Sequence, residues 1–345
     1  MSANPMESAI PVHLRCPRSR MTRISDDYVP PYPSFVARNK SGITRVVMAY
    51  FGVQYNSDRN KAEEALKDII EGFAKPSGPG HWDRARWTDG ADANNLLCTA
   101  YWTDPERFDA WFEAVGLDWT RVPHPGLGTF TEVLRPRVEH YETLFSAPDR
   151  PEGIATLAER MSDVVREHAY WGGARDRIPA SQTDGLEPVG EPSITRKGRR
   201  VTVQGYDNIC LIRSGQDWSD TEGEERIMYL RDVEPVLRAG MDFLRDHGRS
   251  IGCLGNRYSS VEDAAGHSME KSYGMSWWKS LAALERWAES HPTHLAIFGA
   301  AMKYLSTLGP LARLKLYHEV TVAKADEQFF EYFNCHDRTG VLQLA

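Results

Sequence analysis

Hydrophobic and polar positions switch between two periods along the chain, and the switches mark its elements. Residues 45–53 form an apolar, β-branched and aromatic run that reads as a buried strand. The pattern then turns helical: Ala65, Leu66, Ile69, Ile70 and Phe73 recur at helical spacing behind Ser57 or Asp58, either of which suits the N-cap. After a Gly/Pro break at 76–80 and a weak strand-forming segment, residues 95–102 give a second apolar strand. Asp104-Pro105 opens another helix, because the Asp side chain accepts from orphan amides and Pro fits the first helical position. Phe108, Trp111, Phe112 and Val115 form its apolar face, and a strand at 127–134 closes the set.

The C-terminal part reads as a second copy. A strand spans 200–213, a long helix 220–246 and strands 250–258 and 272–277, followed by a helix and a strand at 314–322. Trp102 and Trp111 are nine residues apart, as are Trp278 and Trp287, and each pair flanks a helix start. Strands alternating with helices in two similar halves predict an α+β fold of two ferredoxin-like units packed sheet to sheet. Residues 1–40 then form a Pro- and Arg-rich extended arm, 41–147 the first unit, and 199–345 the second. The connector, 148–198, carries a helix at 154–168 and a Gly/Pro-rich loop from Trp171 to Pro179. A loop of that length, with one Trp and two Arg, is expected to be functional.

Composition narrows the function classes. The chain has 345 residues, 41% hydrophobic and 26% charged, enough to bury a substantial core. A formal net charge of −7 without a dominant Lys/Arg cluster argues against a nucleic-acid partner. The most basic window, Arg196-Lys197-Gly198-Arg199-Arg200, reads as a solvated turn. No apolar run approaches the roughly 18 residues of a membrane span, and the N-terminus has no apolar signal core. Five scattered cysteines include no CxxC and no CxxCH, which excludes covalent haem attachment on motif grounds. Cys98 and Cys210 lie in apolar strands and should be buried thiols; a cytoplasmic protein is expected.

Two of the eleven histidines stand out. His294 follows Pro292 in the first turn of a helix whose next turns are apolar and small: Leu295, Ile297, Phe298, Gly299, Ala300, Ala301 and Met302. An imidazole leading into such a face offers a flat porphyrin one axial nitrogen and room for the ring; the plainer alternative is a first-turn histidine that only packs. His291 competes as ligand but precedes the Pro and belongs to the cap. His318 lies in Leu314-Lys-Leu-Tyr-His-Glu-Val-Thr-Val322, where period two puts Leu314, Leu316, His318, Val320 and Val322 on one face and Glu319 on the other. A buried imidazole suits acid–base work near neutrality, against the alternative of a satisfied core histidine. Ser214, at the end of an apolar strand before Gly215, can line a pocket or simply cap a turn, and it lacks the GxSxG context of a hydrolase nucleophile.

These segments carry a resemblance. Met6-Glu-Ser-Ala-Ile10, Gly52-Val-Gln-Tyr55, Tyr141-Glu-Thr-Leu144, Tyr170-Trp-Gly172 with Arg175-Asp-Arg177, Ile212-Arg-Ser-Gly-Gln-Asp-Trp218, Trp287-Ala-Glu-Ser-His-Pro-Thr-His294 and Leu316-Tyr-His-Glu-Val320 stand in order over nearly the whole chain. The sequence resembles the aldoxime dehydratases, haem enzymes that remove water from an aldoxime to give a nitrile. The resemblance implies a dimeric α+β-barrel-type fold, a homodimer, and haem b, ferrous in the active form, with a small-molecule aldoxime as substrate. It implies His294 as the axial ligand of the haem iron, His318 as the distal acid–base group and Ser214 as the hydroxyl that binds the aldoxime OH. It further implies Glu142 as the partner of the distal histidine, and Arg177 rather than Arg175 as the distal arginine. Two features depart from the family pattern: a longer segment between His294 and His318, and Ser34 after Pro33, where a bulkier apolar residue occurs. A haem peroxidase or oxygenase on the same barrel, and a haem carrier or sensor without turnover, are the rival readings.

Overall fold

The computed structural model describes residues 6–119, 121, 124–168 and 173–344. The chain enters as an extended arm and forms β1 (Ala37–Arg38), then β2 (Val47–Tyr55), α1 (Arg59–Phe73), β3 (His81–Thr88) and β4 (Asn94–Trp102). Asp58 caps α1 by accepting from the Lys61 amide. Asp104 caps α2 (Pro105–Trp111), which continues through a π turn at Phe112–Gly116 into α3 (Leu117–Trp119). Next come β5 (Gly128–Leu134), β6 (Tyr141–Phe145), β7 (Arg160–Met161), α4 (Gly173–Arg177), β8 (Ser193–Lys197), β9 (Arg200–Gln204) and β10 (Ile209–Asp217). The long helix is α5 (Gly223–Met228) joined by a π turn at Tyr229–Val233 to α6 (Glu234–His247). It is followed by β11 (Cys253–Glu262), β12 (Ser268–Trp278), α7 (Leu281–Ser290), α8 (Pro292–Leu308), β13 (Lys315–Ala323) and β14 (Gln328–Phe333).

Twelve strands make one antiparallel sheet in the order β6-β13-β10-β12-β11-β3-β4-β2-β5-β14-β9-β8. Within it, β2, β3, β4 and β5 lie in the same relative order as β10, β11, β12 and β13, and β11 joins β3 at the seam. The sheet curls so that its concave face encloses a core shared by both ends of the chain, including Tyr50, Leu97, Phe130, Leu211, Met275, Trp277 and Phe330. Helices α1 and α2 cover the convex face of the first half, and α6, α7 and part of α8 that of the second. Cys98 and Cys210 are both buried. Among the described residues no helix is long and apolar enough to cross a membrane.

Two contacts recur between the halves. Trp102 packs on Trp111 with centroids 5.2 Å apart, and Trp278 packs on Trp287 at 5.6 Å. Gly52 sits opposite Phe130 and Gly215 opposite Tyr317, and in each case a Cβ on the glycine would enter the facing ring.

Several expectations change. The expected helix at 154–168 is a short 3-10 turn at Gly153–Leu157 followed by extended chain. That chain pairs with the arm: Glu159 donates its amide to the Arg38 carbonyl, Ser162 to Val36, and Val165 to Ser34. These distant backbone partners satisfy the amides that a helix would have used. Ser34 is thus buried in this pairing. The expected strand at 200–213 is two strands, β9 and β10, which pair in different parts of the sheet. The break falls where Gly205 lies against the Gln328 side chain and Asn208 takes a left-handed φ of 68°. The basic window at 196–200 is the β8–β9 hairpin, turning at Gly198. Trp171 and its neighbours at 169–172 lie outside the described residues.

Candidate active site

The registers of three neighbouring strand pairs assemble one layer on the convex face. Ser214 of β10 is the cross-strand partner of His318 of β13 and, on its other side, of Gly274 of β12. His318 in turn faces Leu144 of β6, and Val320 faces Glu142. Directly opposed residues share a face, so Leu144, His318, Ser214 and Gly274 form a row, with Glu142 one step along it. Val320 and Val322 of the same face pack among α6 and α7. Glu319 points to the concave side, where Tyr101 donates to it at 2.5 Å.

Ser214 does not end its strand, as expected from Gly215; β10 runs on to Asp217. Gly215 is required for another reason. A Cβ there would come within 2.1 Å of the Tyr317 ring, which lies across the strand and stacks on Phe145. The sequence shows a turn former, whereas the fold uses the missing side chain. Ser214 is half-buried and is the direct cross-strand neighbour of His318.

Three residues distant in sequence meet beside it. The Arg177 Nε donates to Glu142 Oε2 at 2.6 Å, and its Nη2 lies 2.9 Å from His318 Nε2. Nη1 donates to the Glu167 carbonyl at 2.7 Å, so all three guanidinium nitrogens have protein partners. His318 Nε2 is also 2.9 Å from Glu142 Oε1. A single ring nitrogen therefore has two neighbours of opposite demand: protonated, it donates to Glu142; unprotonated, it accepts from Arg177. Glu142 is fully buried, which would raise its pKa, but Arg177 and His318 outweigh burial and hold the carboxyl below its ordinary value. Arg175 goes elsewhere, to Glu285 of α7 at 2.7 Å, so the structure separates the two arginines.

His294 stands at the start of α8, capped by His291, whose Nδ1 accepts from the Thr293 amide. The Nδ1–H of His294 donates to the Ala288 carbonyl at 2.9 Å, and the Trp287 ring packs 4.3 Å from the imidazole. Burial pushes its pKa down to about 4. It is therefore neutral, with its lone pair on Nε2, the tautomer an iron ligand needs. The α7–α8 corner belongs to the convex side: Trp287, Ala288 and Ile297 share a cluster with Val320 and Ile212. Beyond His294, Ile297, Phe298, Ala300, Ala301 and Met302 are only partly covered, although α8 is strongly apolar. A neutral imidazole with a fixed tautomer, leading into a half-exposed apolar helix face, fits haem.

Sequence patterning missed two neighbours. His168 donates Nδ1–H to the Tyr32 carbonyl at 3.2 Å, and burial, aided by the Arg177 and His318 charges, lowers its pKa to about 4. Glu167 binds Arg177 through its carbonyl and the arm through its carboxylate. The one local signal was their place, a Glu-His pair just ahead of the Arg-Asp-Arg loop.

Comparison with known proteins identifies the family. The family model described as haem-containing dehydratase matches residues 49–341. An aliphatic aldoxime dehydratase of Pseudomonas chlororaphis is 44% identical, covering 99% of each chain. A phenylacetaldoxime dehydratase of Bacillus sp. (strain OxB-1) is 32% identical over 93% of this chain and 94% of its own. A crystal structure of an aldoxime dehydratase in complex with butyraldoxime superposes with a TM-score of 0.93 at 42% identity, covering 98% of this chain and 96% of that one. The chain is a lyase and haem is its cofactor. It belongs to the aldoxime dehydratase family of haem-containing dehydratases.

Proposed function

We propose that this chain converts aldoximes to nitriles with haem b, in the ferrous form, held through His294, and with His318 as the proton-transfer group. The observation that carries the reading is the Glu142–Arg177–His318 cluster standing beside Ser214 on one face of the sheet. Hydroxide is a poor leaving group, so cleavage of the oxime N–O bond needs a proton on oxygen and electron density at nitrogen. Haem bound through His294 supplies the nitrogen site and that electron density. Everything else falls to side chains.

Ser214 holds the oxime hydroxyl by a hydrogen bond. The His318 imidazolium donates Nε2–H to Glu142 and gives its Nδ1 proton to the hydroxyl, which leaves as water. The neutral ring then takes the proton from the oxime carbon at Nδ1, and the cycle closes with no net redox change. Glu142 stabilises the imidazolium and holds the ring through the Nε2–H bond, while Arg177 keeps Glu142 ionised and in place. The apolar neighbours Leu144 and Leu316 exclude water, which strengthens each of these contacts.

We further propose two ferredoxin-like halves, 41–147 and 199–345, joined by 148–198 and preceded by the arm 1–40. The equal strand order and the repeated Trp–Trp and Gly–aromatic contacts support this duplication. A cytoplasmic homodimer completes the reading, testable by the molar mass in solution. The decisive experiment is an anaerobic, dithionite-reduced assay on butyraldoxime and phenylacetaldoxime, with nitrile followed by chromatography. Nitrile from either supports the proposal; none from either, with haem bound, refutes it.

A further inference from the structure

The three residues of the Arg175-Asp176-Arg177 turn grip three different parts of the molecule. Arg175 binds Glu285 of α7, and Arg177 binds Glu142 and His318. Asp176 lies between them, 1% exposed, and among the described residues its carboxylate is held by backbone amides and not by a basic side chain. It accepts the Arg23 amide at 2.9 and 3.1 Å and the Ile24 amide at 2.8 Å, both from the N-terminal arm. Ten residues before Arg177, Glu167 does the same with an earlier part of the arm: its carboxylate accepts the Ala9 amide at 2.7 Å and the Ser8 hydroxyl at 2.9 Å. The Glu167 carbonyl holds Arg177 Nη1.

A buried carboxylate is costly unless it is hydrogen-bonded, and among the described residues both of these take their donors from the arm. The segment that carries them has little regular structure of its own: α4 has five residues, and the preceding chain is extended. Its position is set by the arm, which is pinned from Glu7 to Val36 by backbone bonds to Val164, Arg166, Gln182, Ser162 and Val165. The Arg23 side chain then reaches Glu285 and Glu289 of α7, the helix that leads to His294.

We infer that Asp176 and Glu167 are positioning residues for the dehydration, clipping the N-terminal arm on either side of Arg177 so that its guanidinium stays on Glu142 and His318. The arm is then a working part of the distal site. Neither carboxylate touches the reacting groups; both act through Arg177. This rests on the role given to Arg177 above.

A double-mutant cycle in the full-length, haem-loaded protein tests it, with kcat, KM and the Soret band as readouts. Asp176→Asn replaces one accepting oxygen by an NH2 group facing amide donors and loosens the turn. With a misplacement of that kind, kcat should fall about 10-fold, with KM and haem content nearly unchanged. In an Arg177→Lys background the same change should cost less than about twofold, because residues acting as a unit do not add. Glu167→Gln, a milder change, should show the same dependence on Arg177 and serves if Asp176→Asn fails to fold. Equal losses in both backgrounds, no loss in the parent enzyme, or a loss that follows haem content would each overturn the inference. Full activity of Arg177→Lys alone would instead strike the reading of Arg177, a separable result.

Discussion

Ser214 and His318 are direct cross-strand partners, one on β10 and the other on β13, with both side chains on the convex face of the sheet. Cβ atoms of such a pair are about 4.5–5.5 Å apart. A hydroxyl and an imidazole are thus held at the spacing of a small bridging group by backbone pairing alone. No loop movement is needed to bring them together. In the proposed mechanism, that register defines where the oxime hydroxyl sits.

From this pairing, His318→Ala should retain haem and bind aldoxime, yet lose turnover by about 10²–10⁴-fold, the usual worth of general acid–base catalysis. Steady-state nitrile formation, beside a Soret spectrum of the same sample, checks it. Wild-type turnover would remove His318 from the mechanism.

Ser214→Ala should have a smaller effect. One hydrogen bond to a neutral group contributes about 0.5–1.5 kcal/mol, so kcat/KM should fall by roughly 2- to 15-fold. The Glu142–Arg177–His318 cluster does not include Ser214, so the pH dependence of kcat should keep its shape. A loss as large as that of His318→Ala would mean that the hydroxyl takes part in the proton transfer itself.

The proximal side gives a spectroscopic prediction. His294→Ala removes the imidazole whose Nδ1–H is fixed on Ala288, and purified protein should lack most of its Soret absorbance. Its far-UV circular dichroism should stay close to wild type, because His294 stands in the first turn of α8 and is only partly buried. Full haem retention would place the axial ligand elsewhere.

Much of this was legible in local sequence. Ser57 or Asp58, of which the fold uses Asp58, and Asp104 announced their helices by cap chemistry, and alternation in β13 correctly put His318 and Glu319 on opposite faces. What failed was anything decided by distant partners. Ile154, Leu157, Met161 and Val165 fall at spacings a helix could use, but the arm claims the backbone there. No periodicity links Glu142 to Arg177, 35 residues away, and only the resemblance to a family put them together. Gly215 was visible as a glycine; its reason, the Tyr317 ring, lies on another strand.

The electrostatics of Glu142 give a pH prediction. Its carboxyl is held below its ordinary value in the folded protein, so the ionised form stabilises the fold. That contribution is complete above the unfolded-state pKa and disappears as the pH falls through the lower, folded value. Glu142→Gln should therefore flatten the acid limb of stability against pH. Near neutrality it leaves Arg177 buried without its counter-charge, at a cost on the order of 3 kcal/mol. Urea unfolding of both proteins between neutral and acid pH measures both effects. An unchanged acid limb would show that other carboxylates govern it.

Gly215→Ala tests whether packing behind the site holds the row in register. The new Cβ would meet Tyr317 Cε1 at 2.1 Å and its hydroxyl oxygen at 2.7 Å, well inside contact distance. Tyr317 cannot retreat freely, because it is 9% exposed and stacks on Phe145 with centroids 5.7 Å apart. Relief must come from separating β10 and β13, the two strands that carry Ser214 and His318. Overpacking of this kind costs about 1–3 kcal/mol, and here the strain falls directly on the Ser214–His318 pairing. Urea denaturation should show the destabilisation, and kcat should fall while haem remains bound. Relieving the ring in a Gly215→Ala, Tyr317→Leu double variant should recover part of both. Recovery of stability without activity would mean that the ring itself, rather than the strand spacing, serves the reaction.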